Sequence, residues 1–325
     1  MSLSSTEIRL AGRTAALESF ATARVPVRDP EPGEVVVRNA FTSLDPGMLR
    51  RVTEPDLSHG YTLGAPLHGE AVGHVVASAD PAYRPGDAVA HPFGWREYAV
   101  APSSAVRRVD PDAYPSLSTH LNFGLVAYVG LFDIAGFRPG DTVFVSSAAG
   151  AVGGLVGQFA RRAGAKRVIG SAGTPAKVAH VRDRLGFDAA FDHHDDVDVR
   201  LREAAPDGID VYFDNVGGTQ LTAAVEHLNP GGRVVLCGVL ADGAALDPRT
   251  LLAHRASVRA FSVLDHLHRA PDFGRDFRAW LRDGLVYDET VVDGLENAPR
   301  ALLDLRAGRY TGKVVVRIGG PGVDR

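Results

Sequence analysis

The segment that most restricts the fold of this chain is VFVSSAAGAVGGLVGQFARRAGAKRVIGSAGTPAK, residues 143–177. In it an apolar run, a turn of small residues, a helical pattern and a second apolar run follow one another. The helical part has the i, i+3, i+4, i+7 spacing of one buried face, formed by Val152, Leu155, Val156, Phe159 and Ala160. The order strand, turn, helix, strand predicts a βαβ unit and therefore a parallel sheet.

The turn of this segment resembles the dinucleotide fingerprint G-x-G-x-x-G, with Ala148 in place of the first glycine. Gly150 and Gly153 keep the positions that allow close approach of a pyrophosphate and close packing of helix on strand. Because a helix N-terminus attracts anions, Gly150, Ala151, Val152 and Gly153 are predicted to contact a dinucleotide. The alternative is a glycine turn in an α/β fold that binds no ligand.

The second strand indicates which dinucleotide is bound. NAD-binding proteins usually carry an acidic residue there for the ribose hydroxyl, whereas NADP needs cations and small residues for the 2'-phosphate. Here the strand runs into Gly170–Thr174 without a carboxylate, and Lys177 follows in the first turn of a helix that Thr174 and Pro175 begin. The pattern favours NADPH. Lys177 could alternatively be a solvated helix residue.

The rest of the chain predicts a fold of class α/β with two domains. Residues 1–120 contain short apolar runs broken by Pro, Gly and Asp, which is typical of an irregular β domain. Residues 121–295 alternate strands with helices and predict a doubly wound parallel sheet, with later strands at about 189–191, 210–214 and 233–239. The last strand, KVVVRI, lies in residues 296–325 and is expected to complete the first domain.

Composition excludes several classes of partner. A net charge of -4 without basic clusters gives no reason to expect nucleic acid or an anionic membrane. No window approaches 18 consecutive apolar residues, and the N-terminus lacks the features of a secretion signal, so a cytoplasmic protein is expected. The single cysteine, Cys237, excludes an internal disulfide and a multi-cysteine zinc site.

Several motifs together resemble a known family. They are residues 146–193, which include the turn, with SLDPGMLRR, FGWREYAV, DGIDVYFDNVGG, LNPGGRVVLCGV and YTGKVVV. Over nearly the whole chain they are similar to the zinc-independent medium-chain dehydrogenases/reductases. The most similar group is the leukotriene B4 12-hydroxydehydrogenase/prostaglandin reductase group, which includes alkenal and enone double-bond reductases. The resemblance implies a GroES-like β domain, a Rossmann domain, NADPH as cofactor and a homodimer.

The resemblance also implies roles for single residues. Lys177 would hold the 2'-phosphate together with Gly173, and the turn residues would lie under the pyrophosphate. The nucleotide and nicotinamide would be lined by Gly124, Val126, Asn215, Cys237, Gly238, Val239, Phe261, Ser262, Val263 and Tyr310.

The chain departs from the family pattern at four places. His193 replaces a tyrosine expected near the 2'-phosphate, Gly47 replaces the tyrosine of S-L-D-P-Y-M, and Tyr310 replaces the asparagine of G-x-N-x-G-K. A tyrosine expected after Cys237-Gly238-Val239 is absent from LADGAAL. Since the last three positions surround nicotinamide and substrate in relatives, they leave the substrate and the proton donor open.

The expected chemistry needs no metal. The zinc-type motif G-H-E is permuted to His68-Gly69-Glu70, and the run HHDD at residues 193–196 is interpreted as a solvated loop. When hydride adds to the β carbon of a conjugated carbonyl, the enolate needs hydrogen-bond donors and the α carbon needs a proton. Tyr61 is the first choice as donor, followed by Tyr310, Tyr128 and His266.

Gly47 should enlarge the substrate pocket, which favours a bulky, unsaturated small-molecule substrate. Other functions stay open on the same residues. They are quinone reduction, reductive cyclisation through the enolate, and binding of NADPH without catalysis.

Overall fold

The computed structural model describes residues 3–54, 60–243 and 245–318. The chain forms two compact units. The first consists of Met1–Asn122 and Glu289–Arg325, and the second of Phe123–Asp288. No helix among the described residues is long and apolar enough to cross a membrane.

In chain order, the strands of the described residues are β1 (Ser4–Leu10), β2 (Phe20–Pro26), β3 (Glu34–Leu44), β4 (Ala71–Ser78), β5 (Ala88–His91), β6 (Tyr98–Pro102), β7 (Arg107–Arg108), β8 (Thr142–Val145), β9 (Arg167–Ala172), β10 (Ala189–Asp192), β11 (Ile209–Asp214), β12 (Leu228–Leu236), β13 (Ser257–Ala260), β14 (Glu289–Asp293) and β15 (Lys313–Arg317).

The α-helices are α1 (Gly47–Thr53), α2 (Gly124–Tyr128), α3 (Gly153–Arg162), α4 (Pro175–Ala179), α5 (Val197–Ala204), α6 (Gly218–Glu226), α7 (Pro248–His254), α8 (Ala270–Arg282) and α9 (Ala298–Arg306). Segments of π-helix continue α2 over Val129–Ile134 and α4 over His180–Arg184. Short 3-10 helices cover Leu17–Ser19, Ser103–Ala105, Leu117–Leu121, Val263–Arg269 and Leu295–Asn297.

The first unit is built on a sheet with the order β14-β15-β3-β4-β5-β7, and β6 also pairs with β3. β15 pairs antiparallel with β3, so the last strand of the chain joins the N-terminal strands. The β1–β2 hairpin, α1 and α9 cover one apolar cluster that includes Trp95 and Met48. This is the GroES-like β domain.

A buried histidine in the first unit has both of its ring nitrogens in hydrogen bonds. His91, at the end of β5, is 2% exposed. Its Nε2 lies 2.9 Å from Asn39 Oδ1, and its Nδ1 accepts a hydrogen bond of 3.1 Å from the Phe93 backbone. Burial, with the positive charge of Arg96 adding to it, lowers the pKa of His91 to about 3. The ring is therefore neutral, with its Nε2 proton donated to Asn39.

The second unit is a Rossmann domain. Its strands pair in the order β10-β9-β8-β11-β12-β13, and all five pairings are parallel. The strand order reverses between β8 and β11, because the chain first builds outward to β10 and then returns to the other side of β8. In doubly wound sheets this switch point, at the carboxyl ends of the strands, is where ligands bind.

One strand of the second unit differs clearly in extent from the sequence prediction. The predicted strand 233–239 begins earlier, at Leu228, and ends at Leu236. It ends there because the backbone N–H groups of Cys237 and Gly238 both turn back to the carbonyl oxygen of Asp214, at 2.8 and 3.2 Å. Cys237, Gly238 and Val239 therefore leave the sheet at its carboxyl edge.

Candidate active site

The turn between β8 and α3 is shaped to admit a ligand close to the backbone. A Cβ at Gly153 would lie 2.5 Å from the carbonyl oxygen of Ser147, so this position accepts no side chain without a backbone shift. Gly150 is looser, with the same oxygen at 3.2 Å. All residues of α3 from Gly153 to Ala160 are buried, so the helix is held firmly with its N-terminus at the turn. Such a turn fits a pyrophosphate.

The structure explains why Ala148 can replace the first glycine of the fingerprint. The left-handed residue of the turn is Ser147, with φ of 51°. Among the described residues, Ala148 is not one of those with positive φ, so it needs no glycine. Its backbone N–H donates to the Ser171 carbonyl at 2.9 Å and ties the turn to β9.

The loop after β9 contains the predicted ribose end of the site. The Thr174 hydroxyl accepts a hydrogen bond of 3.3 Å from the Lys177 backbone N–H, and Pro175 is the first residue of α4. This is the predicted helix start. Lys177 is half-buried, and that partial burial lowers the pKa of its amine. The loop residues Gly173 and Thr174 bring no carboxylate to this end.

Two histidines at the end of β10 pack against the same loop. A Cβ at Gly173 would meet His193 Cε1 at 2.8 Å, so the His193 ring lies directly against this loop. His193 Nδ1 lies 3.0 Å from the Ala172 carbonyl oxygen. The His194 ring stacks on the His193 ring with centroids 4.2 Å apart, and His194 Nδ1 lies 2.7 Å from Asp192 Oδ1. The His193 ring therefore lies against the loop in which the ribose phosphate is predicted to bind.

Both histidine rings affect the pKa of Asp192. Burial raises the pKa of Asp192, but the hydrogen bonds from His194 and the charges of both histidines outweigh it and lower the pKa below its usual value. Asp192, His193 and His194 also place potential metal-ligand atoms within 4.8 Å of one another. In the described part of the chain, neither His68 nor Glu70 belongs to a group of this kind.

Asp214 joins β8 and β11 at the switch point. It is fully buried, and its Oδ1 accepts hydrogen bonds from the Ser146 hydroxyl at 3.1 Å, the Tyr212 hydroxyl at 2.8 Å, and the backbone N–H groups of Val216 and Gly217 at 2.9 and 2.8 Å. Its Oδ2 is buried without a partner among the described residues. The sequence does not predict this network, because it does not show which donors meet at one oxygen.

The same network places Asn215. Its backbone N–H donates to Ser146 Oγ at 2.9 Å, and its Nδ2 donates to the Ser146 carbonyl oxygen at 2.8 Å. Gly238 lies beside it, because a Cβ there would be 2.9 Å from the Asn215 carbonyl oxygen. Burial, followed by the charge of Asp214, raises the pKa of Cys237 to about 12. Asn215, Cys237 and Gly238 are thus brought together, and Val239 follows as an exposed residue.

Two further predicted segments approach each other on the second unit. A Cβ at Gly130, just after α2, would lie 3.1 Å from Phe261 Cζ, so Phe261 packs near the helix that carries Gly124 and Val126. Ser262 is exposed and caps the following 3-10 helix that begins at Val263. His266 is half-buried, with its ring centroid 6.4 Å from that of Phe261.

Tyr128 is committed to a structural contact. Its hydroxyl donates to Asp276 Oδ2 at 2.9 Å. Burial and this carboxylate raise the pKa of Tyr128.

Tyr61, the first-choice proton donor, lies in the core of the first unit. Its side chain is 4% exposed, and its hydroxyl donates to the His68 carbonyl oxygen at 2.7 Å. Burial raises the pKa of Tyr61, against the opposing charge of Arg51. The hydroxyl proton is therefore already engaged. Its role as proton donor stays a prediction, and the hydrogen bond to the His68 carbonyl oxygen disfavours it.

Tyr310 and Gly47 are more accessible. Tyr310 is half-buried beside the apolar cluster of the first unit, and burial raises its pKa. Gly47 is exposed, and a Cβ there would meet only Asp45 Oδ1, at 3.0 Å. Space for a side chain exists at position 47, so the glycine is not required by local packing.

Lys313 is a buried cation close to the Gly47 segment that sequence analysis did not single out. Its Nζ donates to Ser43 Oγ and the Leu44 carbonyl at 2.7 Å each, and to the Val314 carbonyl at 3.1 Å. Burial lowers the pKa of Lys313 to about 8, against the charges of Asp45 and Glu289. The lysine thus ties β15 to the end of β3.

Comparison with known proteins adds to this geometry. Residues 151–277 match the family described as zinc-binding dehydrogenase, and residues 9–109 match the N-terminal domain of oxidoreductase. The chain is 36% identical to an NADPH-dependent curcumin reductase from Escherichia coli, over 93% of each chain. It is 36% identical to an NADP-dependent 2-alkenal reductase from Nicotiana tabacum, over 88% of this chain and 87% of the other.

A solved structure, that of CurA from Vibrio vulnificus in complex with NADPH, is similar over 97% of this chain and 100% of that one. The TM-score is 0.90 and the sequence identity is 34%.

Proposed function

We propose that this protein reduces a carbon–carbon double bond conjugated to a carbonyl group. The chain belongs to the zinc-independent medium-chain dehydrogenase/reductase family, in the group of alkenal and enone reductases. It is an NADPH-dependent oxidoreductase. The names of its relatives support an unsaturated carbonyl substrate. The observation that carries the proposal is the turn fitted to a pyrophosphate, followed by a loop after β9 that carries no carboxylate and by Lys177 in the first turn of α4.

The residues of the second unit divide the binding of NADPH among them. Ala151, Val152 and Gly153 would hold the pyrophosphate by backbone N–H groups, and Lys177 would hold the 2'-phosphate. Gly150 would lie under the pyrophosphate and allow its close approach, since its own N–H donates to the Ser147 carbonyl oxygen at 3.0 Å. Asn215, fixed by Ser146, and the backbone after Cys237 orient the nicotinamide end. When bound, NADPH supplies the hydride for the reduction.

The proposed reaction needs a hydrogen-bond donor for the carbonyl oxygen of the substrate. A conjugated carbonyl needs only such donors, because its negative charge develops on oxygen while the proton is delivered to the α carbon. Tyr310 and His266 are half-buried and are the better candidates, since the Tyr61 hydroxyl already donates to a carbonyl oxygen. The open space at Gly47 supports a bulky substrate.

A homodimer is proposed on the same grounds of family and geometry. β13 is the outer strand of the parallel sheet, and Arg259 and Ala260 on it are exposed. An exposed strand edge is suited to pairing with a second copy. Leu264 and Leu267, which follow it, are 63% and 55% exposed. Sedimentation velocity measures the state directly, and a monomer at micromolar concentration would contradict the proposal.

The proposed reaction is tested by NADPH oxidation with a panel of enals, small and bulky enones, quinones and saturated ketones, with identification of the products. Turnover of enones to saturated ketones is the expected result. Turnover of quinones alone, or cyclised products, would assign the reaction to another class on the same fold. NADPH binding without turnover of any compound would contradict the proposal.

The Lys177 assignment is tested by Lys177→Ala. Loss of a charged contact to phosphate costs about 1.5–3 kcal/mol, so the KM for NADPH should rise about 10-fold to 100-fold while the KM for NADH stays unchanged. Lys166→Ala is the matched control, because Lys166 is exposed and paired with Asp207 at 2.8 Å. An unchanged KM for NADPH in Lys177→Ala would remove the assignment.

A further inference from the structure

We propose that Gln220 binds the cofactor, with its side-chain amide donating a hydrogen bond to the adenosine half of NADPH. The inference rests on the proposed function, because it takes the carboxyl end of β9 as the place of the adenosine phosphates. Gln220 lies at the carboxyl edge of the Rossmann sheet, and among the described residues its amide nitrogen has no hydrogen-bond partner.

The burial of Gln220 makes the use of its amide informative. Gln220 is the third residue of α6 (Gly218–Glu226), which follows the end of β11 at the carboxyl edge of the parallel sheet. The residue is 3% exposed. A glutamine amide has one oxygen that accepts and two N–H donors, and burying such groups without partners costs free energy. Both ends of this amide are therefore expected to have partners in the cofactor-bound protein.

One end of the amide is satisfied by β9. The Ser171 hydroxyl donates to Gln220 Oε1. Ser171 is fully buried, and within the described chain its hydroxyl has no second acceptor, so this bond fixes which end of the amide faces the sheet. The other end carries Nε2, which has no hydrogen bond to any described residue and is not among the fully buried atoms without a partner. Nε2 therefore reaches the surface with its two donors available to a ligand.

The chain has one other glutamine, Gln158 in α3, and its amide is used differently. Gln158 is also 3% exposed. Its Nε2 donates to the carbonyl oxygens of Gly154 at 3.0 Å and Val286 at 2.9 Å, and its Oε1 accepts from the Val286 N–H at 2.8 Å. Both donors and the acceptor of Gln158 thus serve the fold, whereas the donors of Gln220 stay available at equal burial.

The contacts of Ser171 indicate which part of NADPH lies near Gln220. Ser171 is the residue before the last of β9, and its carbonyl oxygen accepts the Ala148 N–H of the turn proposed for the pyrophosphate, at 2.9 Å. Gly173, in the loop proposed for the 2'-phosphate, follows two residues later. In NADPH the adenosine joins these two phosphate groups. The acceptor atoms of the adenosine, which are ribose oxygens and ring nitrogens, therefore match the amide donors of Gln220.

The two glutamines allow a direct test in the unmodified full-length protein. Labelling the side-chain amides of glutamine with ¹⁵N gives two pairs of N–H signals, and Gln158→Met assigns them. Titration with adenosine 2',5'-bisphosphate should shift the Gln220 pair along a saturating curve and leave the Gln158 pair in place. Reduced nicotinamide mononucleotide, which lacks the adenosine, is the control ligand and should move neither pair. A Gln220 pair that stays unchanged at saturation with the bisphosphate would overturn the inference.

The contribution of the contact is measured with Gln220→Met, which keeps the length of the side chain and removes its donors. The Kd for NADPH and the Kd for the bisphosphate should both rise about 3-fold to 10-fold, the usual effect of losing one neutral hydrogen bond. Gln158→Met is the matched control and should lower Tm with little change in either Kd. Ser171→Ala removes the anchor but keeps the amide, so its effect on both Kd values should be smaller. Equal effects of Ser171→Ala and Gln220→Met would mean that Gln220 only holds β9 in position, against the proposed contact.

The outcomes also separate the inference from the proposed function. If the unmodified protein binds neither NADPH nor the bisphosphate, the cofactor assignment itself fails. If it binds both and neither glutamine signal moves, the cofactor assignment stands and Gln220 is excluded from the site. The NMR titration needs no variant of Gln220, so it decides the inference even where Gln220→Met does not fold.

Discussion

The two units each bury an ionisable side chain beside the end of a strand, and the surroundings of these side chains differ. In the Rossmann unit, Asp214 ends β11 and gathers two hydroxyl and two backbone N–H donors on one oxygen. In the GroES-like unit, Lys313 begins β15 and donates to Ser43 and to two carbonyl oxygens. His91 of the same unit is held neutral between Asn39 and Phe93.

The difference shows what each buried group contributes. Two of the donors on Asp214 are the backbone N–H groups of Val216 and Gly217, which follow Asn215, so Asp214 fixes the backbone at the edge proposed for the cofactor. The partners of Lys313 and His91 lie in the sheet, and burial lowers the pKa of both side chains. The first unit should therefore respond to pH mainly in stability, and the second should respond to loss of Asp214 mainly in cofactor binding.

The largest expected effect is acid destabilisation through His91. Its pKa is about 3 when folded and near 6.5 when unfolded, so the unfolded chain binds more protons between these values. Stability is therefore lost as pH falls from 6.5, by up to about 5 kcal/mol at pH 3. Urea unfolding from pH 7 to 4.5 measures it against His91→Gln, which lacks this titration. Parallel curves for the two proteins would refute the explanation.

Lys313 should change the stability of the fold at alkaline pH. Its pKa is about 8 when folded and near 10.5 when unfolded, so the unfolded state again binds more protons between these values and stability rises with pH there. The gain relative to Lys313→Met should approach about 3 kcal/mol between pH 8 and 10.5. Urea midpoints of the two proteins at pH 7.5, 8.5 and 9.5 give the difference. A constant difference would mean that the lysine does not titrate in the fold.

The smallest stability change, and the most specific one, is expected for Asp214→Asn. The amide can keep its oxygen on the four donors, but it removes the negative charge that they meet and leaves an N–H2 group buried at the Oδ2 position, which has no partner among the described residues, at a cost of about 1–3 kcal/mol. The Kd for NADPH should rise about tenfold, which corresponds to a loss of about 1.4 kcal/mol of binding free energy. Tyr212→Phe removes one donor and is the milder control. If both variants lose stability equally and bind NADPH normally, Asp214 has only a structural role.

The nucleotide unit was the part most open to prediction from sequence. The Thr174 cap and Pro175 at the start of α4 form as predicted, because these residue types satisfy the backbone groups that a helix start leaves open. Gly153 is required by contact with the Ser147 carbonyl, and the Rossmann order of the strands agrees with the alternation of strand and helix. Each of these features depends on residues close together in the chain.

The features that were missed depend on distant residues. Tyr61 looks like a donor in sequence, but the packing of its unit buries its hydroxyl against His68. Lys313 meets Ser43 and Leu44 across the sheet. The Asp214 network links β8 with β11, which no local pattern encodes. The stacking of His194 on His193 was likewise invisible, because a run of polar residues after a strand is typical of a solvated loop.

The surroundings of Cys237 bear on the durability of the protein. Conjugated carbonyl compounds are electrophiles that alkylate thiolates, and the proposed substrates belong to that class. The chain has one cysteine, and burial beside Asp214 raises its pKa to about 12. At neutral pH about one thiol in 10⁵ is then ionised. If the protein acts on the proposed substrates, it thus offers them almost no reactive sulfur of its own, and it should complete many turnovers without covalent self-inactivation.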